Sequence, residues 1–133
     1  MKHNPLELLL WLSIGLFLFL LTWCESDDSY SASYAHDIEP IFSTRCIPCH
    51  LSESGNSGNL NLSSYASLMA GNSNNGPVVV PGDTDNSLLY EAVSKPSNEQ
   101  SILTTRMPQG EEPLSPVSIQ LIEDWINEGA KDN

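Results

Sequence analysis

Basic side chains are scarce in this chain. Only 5 of its 133 residues are Lys or Arg, against 17 Asp or Glu, which gives a formal net charge of −12. Only one charge of each sign, Lys2 and Glu7, precedes residue 24, so nearly all of the acidic excess lies beyond that point. Because such a surface repels a phosphate backbone, the composition excludes nucleic acid as a partner.

Apolar residues are also scarce beyond residue 23. They make up 40% of the whole chain, but they are concentrated in the segment 1–23. In the rest of the chain their share is about 35%, below the roughly 45–50% of an ordinary globular domain. A domain of about 100 residues with so few apolar groups is marginal on its own, and a buried apolar cofactor would help to stabilise it.

The N-terminal segment has the pattern of an export signal. A short basic start, Met1–His3, precedes an uncharged run from Leu8 to Trp23. A helix of that length spans about 24 Å, less than the roughly 30 Å of a hydrocarbon core, and this favours a signal peptide over a full span. Residues 1–23 are therefore predicted to be a signal peptide or membrane anchor. The rest of the chain is then expected on the periplasmic or cell-surface side, anchored to the membrane.

Cys24 follows the apolar run directly and precedes an acidic, Ser-rich stretch. This order resembles a bacterial lipoprotein signal, in which the cysteine is lipidated after cleavage. Trp23 departs from the small residue that such signals favour at that place, so a lipid on Cys24 and an uncleaved peptide anchor both stay open. Residues 24–33 are predicted to form a flexible tether.

The other two cysteines lie in the motif Cys46-Ile47-Pro48-Cys49-His50. Two thiols at this spacing on a tight turn can add to the two vinyl groups of one porphyrin. The adjacent histidine can then donate a ring nitrogen to the iron. This is the attachment motif of c-type haem, and it predicts one covalent haem c on Cys46 and Cys49 with His50 as the proximal ligand.

Other interpretations of the motif fit the chain less well. A disulfide between Cys46 and Cys49 would close an unusually small ring. A zinc site needs more donors than the two thiols, His50 and His36 supply, and an adjacent cysteine and histidine rarely ligate one tetrahedral ion. A thioredoxin-like redox pair needs a βαβ setting, which the sequence does not predict.

Three residues are candidates for the second axial ligand. Met69 lies in an apolar helical pattern, which favours a place in the core. His36 lies shortly before His50, on the same arm of the chain, which favours an exposed or capping side chain. Met107 lies in a loop far beyond His50 in the sequence, which lets the chain reach the other face of a porphyrin, and Pro108 stiffens that loop. Met107 is therefore the predicted distal ligand.

The chain beyond residue 33 predicts short helices, each opened by a small polar residue. The first helix is predicted through Ile38–Phe42 with Asp37 as its N-cap. The second is predicted over Leu62–Ala70, capped by Ser63 or Ser64, and the third over Ser87–Val93, capped by Asp85 or Asn86. The last begins with Ser115 as N-cap and stops at Gly129. Its predicted apolar stripe comprises Val117, Leu121, Ile122, Trp125 and Ile126. We expect the first and last helices to pack together.

These features predict an all-α cytochrome fold of several short helices around one haem, over residues 34–131. The domain resembles class I c-type cytochromes, and more closely the planctomycete-type cytochrome c domain family. The matching segments are Pro40-Ile41-Phe42, the haem motif, Leu60-x-Leu62, residues 76–83, Ser87-Leu88-Leu89, Arg106-Met107-Pro108, Leu114-Ser115 and residues 125–130. The resemblance implies covalent haem on the cysteine pair, a proximal His50 and a distal Met107. Two positions depart from the family pattern, Leu51 in place of glycine and Gln109 in place of a second proline.

Ligation by His50 and Met107 would saturate the iron and leave no position for a substrate. The sequence therefore predicts a membrane-tethered one-electron carrier rather than an enzyme. A haem-based ligand or redox sensor for a membrane partner is the alternative, followed by a small peroxidase. Arg45 and Arg106 adjoin haem-binding positions, which makes both candidates for a propionate contact, and one of them is predicted to pair with a haem propionate. The acidic surface predicts a redox partner protein with a basic docking face.

Overall fold

The computed structural model describes residues 30–51, 57–71, 73–95, 103 and 105–133. Residues Ser31–Asn133 form one compact unit. The predicted signal or anchor segment, Cys24 and most of the predicted tether lie outside the described residues. Within the described ranges, no helix is both long and apolar enough to cross a membrane.

Short helices make up the regular structure of the unit. A π-helical turn at Tyr34–Ile38 continues into helix α1. The α-helices are α1, Glu39–Arg45; α2, Tyr65–Ala70; α3, Leu88–Ser94; and α4, Pro116–Asn127, with a 3-10 turn at Ser57–Asn59 between α1 and α2. The described residues contain no strand. The predicted all-α class is thus confirmed.

The first helical segment begins at Ser33, so the prediction of Asp37 as its N-cap is wrong. The Ser33 hydroxyl accepts the backbone N–H of His36 at 3.3 Å, and the Asp37 carboxylate accepts the backbone N–H of Ser33 at 2.8 Å. Asp37 therefore acts as the reciprocal partner of the cap. This arrangement adds a turn before α1, and Pro40 lies in the first turn of α1, where its missing N–H costs little.

The caps of α2 and α4 are those that the sequence predicts. Ser64 and Ser115 each accept the backbone N–H three residues further on, at 3.1 and 3.0 Å. Gly71 ends α2 with a φ of 61°, a left-handed conformation that glycine adopts without a Cβ penalty. Helix α2 begins at Tyr65 rather than at the predicted Leu62, directly after Ser64, one of the two predicted caps.

Helix α3 is capped differently from the prediction of Asp85 or Asn86. Its N-cap is Ser87, a buried residue whose hydroxyl makes no capping bond. That hydroxyl accepts the backbone N–H of Val80 at 2.8 Å and donates to the carbonyl of Asp83 at 2.7 Å. Ser87 therefore fixes the Pro-flanked segment of Val80 against the start of α3.

The core forms where the first helical segment meets α4, as expected. Its most buried side chains, each 0–1% exposed, are Ile38, Phe42, Leu68, Ile122, Trp125 and Ile126. The rings of Tyr34 and Trp125 lie 5.7 Å apart between centroids, and Tyr65 meets Tyr34 edge-on at 5.1 Å. Val117, predicted to belong to the apolar stripe, is 69% exposed, so the buried face of α4 begins later.

Candidate haem site

The cysteine motif continues directly from the end of α1. The carbonyl of Phe42 accepts the backbone N–H groups of Cys46 and Ile47, both at 2.9 Å. The N–H of His50 then turns back to the carbonyls of Cys46 and Ile47, both at 3.0 Å, and the His50 carbonyl accepts the N–H of Leu62 at 2.9 Å. These bonds make a compact turn that connects the motif to the buried helix before it and to the segment after it.

The backbone of Met107 is bound to α3, a different helix from the one that leads into the cysteine motif. Its backbone N–H donates to the carbonyl of Ala92 in α3 at 2.8 Å. Two α3 residues near Ala92 point inward, since Leu89 is 6% and Val93 is 3% exposed. The loop that contains Met107 is thus fixed to a helix whose apolar face points toward the interior.

One cavity of about 420 Å³ brings these two parts of the chain together. Cys46, Cys49, His50 and Met107 all line it. Its apolar walls include Leu60, Leu62, Val78, Leu88, Leu89 and Val93. A cavity of this size, mostly apolar with a few convergent donor groups, is typical of a site for a small organic ligand or cofactor.

The two thiols of the motif have unequal surroundings. Cys46 is half-buried, Cys49 is exposed, and the two are not joined in a disulfide. Burial raises the pKa of the Cys46 thiol to about 11, although the neighbouring Arg45 acts in the opposite direction. Without haem, the Cys46 side chain is therefore a neutral thiol at neutral pH, and the Cys49 side chain stands in solvent.

The site fits a haem c group on the chemistry of its donors. His50 lines the cavity, and its Nδ1 atom is buried without a hydrogen-bond partner among the described residues. A buried imidazole nitrogen without a partner is unusual in a folded protein. An imidazole and a thioether are both axial ligands of haem iron, and two thiols complete the covalent attachment. The apolar walls suit the porphyrin.

The comparison with protein families agrees with this chemistry. Residues 46–108 match the family model of planctomycete cytochrome C. The match confirms the resemblance and extends from the first cysteine of the haem motif to Pro108, just after Met107. Cytochrome c domains bind haem covalently, transfer electrons and are typically extracytoplasmic. No curated protein and no solved structure matches this chain.

Two other candidates for iron ligation lie elsewhere in the described unit, as the sequence predicts. Met69 packs against the hydrophobic core from α2. His36 is exposed in the π-helical turn, with its backbone N–H on the Ser33 hydroxyl. Neither residue lines the cavity that contains Met107.

The two arginines near the predicted haem site differ in position. Arg45 lines the cavity, with its Nε atom 3.5 Å from Oε2 of Glu111 and its Nη2 atom donating to the carbonyl of Glu112 at 2.6 Å. Arg106 is half-buried and is not among the described residues that line the cavity. The propionate contact expected of one of these two arginines stays a prediction.

Several lining residues were not predicted from the sequence. Ser73 and Asn75 contribute polar groups from the loop after α2, and Gln109 contributes another from the loop of Met107. Leu88 is half-buried and lines the cavity instead of the helix-packing core. The spacing of Leu88 and Ala92 in the sequence does not mark this face of α3, because Leu89 and Val93 have the same four-residue spacing.

Proposed function

We propose that this protein is a monohaem c-type cytochrome that carries single electrons outside the cytoplasm and is tethered to a membrane through its N-terminal segment. The observation that carries the proposal is that His50 and Met107, although far apart in the sequence, line one cavity together with Cys46 and Cys49. The family match over residues 46–108 supports haem binding and electron transfer.

Each of the four residues has a role in this proposal. Cys46 and Cys49 form the two thioether bonds, His50 is the proximal ligand and Met107 is the distal ligand. When bound, haem c supplies a one-electron ferric–ferrous couple whose potential depends on its axial ligands. The apolar walls of the cavity keep water away from the iron ligands, and the turn from Cys46 to His50 holds the imidazole in place.

The carrier role follows from the number of ligands that the chain supplies. With an imidazole and a thioether on the iron, no axial position is open for a substrate or a gas. The sensor and peroxidase alternatives both need an open position. A peroxidase also needs distal acid–base groups, and His36, the spare histidine of the described residues, is exposed and away from the cavity.

A partner with a basic docking face is part of the same proposal. Glu111 and Glu112 are exposed, and Glu111 lines the cavity beside Cys46. The chain as a whole carries a formal net charge of −12. Electrostatic attraction between this acidic chain and a basic protein would accelerate their association, and it would weaken as salt is added.

The test is a visible spectrum of the full chain, matured in cells that attach haem c, in both oxidation states and with carbon monoxide. We expect a low-spin, six-coordinate spectrum and no rapid binding of carbon monoxide. Met107→Ala should lose the methionine-ligated signature and bind the gas readily. Met69→Ala is the matched control, because it removes a methionine that packs against the core, and it should keep the native spectrum.

Two results would contradict the proposal. A colourless mature protein would exclude covalent haem altogether. Ready binding of carbon monoxide by the unaltered protein would show an open iron position and favour the sensor.

A further inference from the structure

Arg45 connects the two sides of the cavity. It is the last residue of α1 and directly precedes Cys46, whereas both of its partners, Glu111 and Glu112, follow Met107 in the chain. We infer that Arg45 is a positioning residue that holds the segment Met107–Glu112 against the cavity and thereby keeps the distal ligand in place. This inference rests on the proposed function for the assignment of Met107 as a ligand.

The segment Met107–Glu112 is fixed at both ends to different helices. At its start, the Met107 N–H donates to the Ala92 carbonyl of α3 at 2.8 Å. At its end, the Glu112 carbonyl accepts from Arg45 of α1 at 2.6 Å. Pro108, Gln109 and Glu111 line the cavity between these two ends. The segment therefore covers one side of the cavity. Arg45 attaches it to the part of the chain that contains the cysteine motif.

The contact with the backbone matters more than the contact with the carboxylate. The Arg45–Glu111 pair is long, at 3.5 Å, and the Glu111 side chain is 60% exposed, so solvent screens most of its attraction. The bond to the Glu112 carbonyl is short and charge-assisted, and the Arg45 side chain is only 31% exposed. Arginine suits this place because its planar fork presents Nη2 to the Glu112 carbonyl while Nε faces Glu111, a fixed geometry that a lysine ammonium does not reproduce.

Arg45 is also a candidate for contact with a haem propionate. A propionate contact and attachment of the segment Met107–Glu112 predict different results for its variants. A propionate contact depends on positive charge, which lysine retains. Holding the Met107–Glu112 segment depends on the Nη2 donor that reaches the Glu112 carbonyl, and the shorter lysine side chain does not place a donor at that point. Comparison of Arg45→Lys with Arg45→Gln therefore distinguishes the two roles.

The experiment uses the full-length haem protein and the variants Arg45→Gln, Arg45→Lys and Glu111→Gln. Lys131→Gln is the matched control, because it removes the same charge from an exposed residue away from the cavity lining. Imidazole is titrated into each ferric protein, and its displacement of Met107 is followed in the visible spectrum. In parallel, hydrogen exchange of the Met107 amide is measured by NMR.

Loss of a charge-assisted hydrogen bond should raise the apparent imidazole affinity about tenfold in both Arg45 variants. Glu111→Gln should raise it no more than about threefold, since the pair is exposed, and Lys131→Gln should leave it unchanged. The Met107 amide should exchange faster in both Arg45 variants than in the control.

The inference is overturned if Arg45→Gln behaves as Lys131→Gln does in a protein with a native methionine-ligated spectrum. It is also overturned if Arg45→Lys restores native behaviour in both measurements, because charge alone would then account for the effect. If the unaltered protein shows no methionine ligation, the proposed ligand set fails. The amide exchange then decides by itself whether Arg45 holds the segment.

Discussion

The two sides of the described unit are closed in different ways. Where α4 meets the first helical segment, the protein fills its own interior, and Trp125, Ile38 and Ile126 are completely buried. Where α3 faces the cysteine motif, the side chains leave a cavity of about 420 Å³. The first region reaches the close packing of a protein interior without help, whereas the second requires another group to fill it.

This difference explains how a chain with so few apolar residues forms a stable unit. Most of the buried apolar side chains of the described unit belong to one core, and some of them, such as Leu89 and Val93, also line the cavity. A haem bound covalently to Cys46 and Cys49 would stay attached to the unfolded chain, and it would stabilise the fold through its burial in the cavity and its axial ligation, both of which are lost on unfolding. The three predictions below test the contrast between the closed core and the cavity.

The largest effect is expected from removal of the haem. Replacement of both Cys46 and Cys49 by alanine should abolish covalent attachment, so that extraction with acidified organic solvent leaves a colourless polypeptide. Hydrogen exchange of the same variant should show more residual protection in α4 than in α3, because the α4 core is filled by side chains. Equal loss of protection in both helices would contradict the contrast.

The next effect tests the closed core. Trp125→Ala should lower the free energy of unfolding by about 3–5 kcal/mol, because it leaves a large cavity in a packed interior, and it also removes the donor to the Lys131 carbonyl. Urea unfolding followed by circular dichroism measures this change. Val117→Ala is the control on the same helix, where the side chain is 69% exposed, and it should change the free energy by no more than about 0.5 kcal/mol. A similar cost for both substitutions would argue against the core as described.

The smallest effect concerns the two thiols of a haem-free chain. Burial raises the Cys46 pKa from 9.0 to about 11, and this leaves roughly a hundredfold less thiolate at pH 8 than the ordinary value would. Iodoacetamide should therefore alkylate exposed Cys49 much faster than Cys46. The difference should narrow as the pH rises toward 11.

Mass spectrometry of the labelled chain measures both rates, in a Cys24→Ala background that leaves only the two motif thiols. In urea, where the burial of Cys46 is lost, the two rates should converge. Equal rates in the folded chain would show that the cavity does not shield Cys46.

Local signals predicted much of this fold from the sequence. Ser115 followed by Pro116 marks the start of α4, and Gly71 marks the end of α2, because caps depend on neighbouring residues alone. The Ser33–Asp37 pair was missed although it is also local, since the carboxylate was assigned the role that belongs to the serine hydroxyl. Ser87 was missed because its hydroxyl bonds Val80 and Asp83 instead of its own helix.

The candidate site divides in the same way. Cys46, Cys49 and His50 lie close together in the sequence, and their spacing alone indicates the chemistry. The contacts of Arg45 with Glu111 and Glu112 join distant parts of the chain, and no pattern along the sequence reveals them. The placement of Met107 beside α3 depends on one backbone bond to Ala92. Such contacts follow from the packing of the whole unit.

Phe42 has a consequence beyond packing. Its ring is 1% exposed in the core, and its carbonyl accepts the N–H groups of Cys46 and Ile47. A single residue thus connects the hydrophobic core to the backbone of the motif that would carry the haem. We expect small changes of shape at that ring to alter the colour of the protein before they alter its solubility, so its absorption would report on the state of its interior.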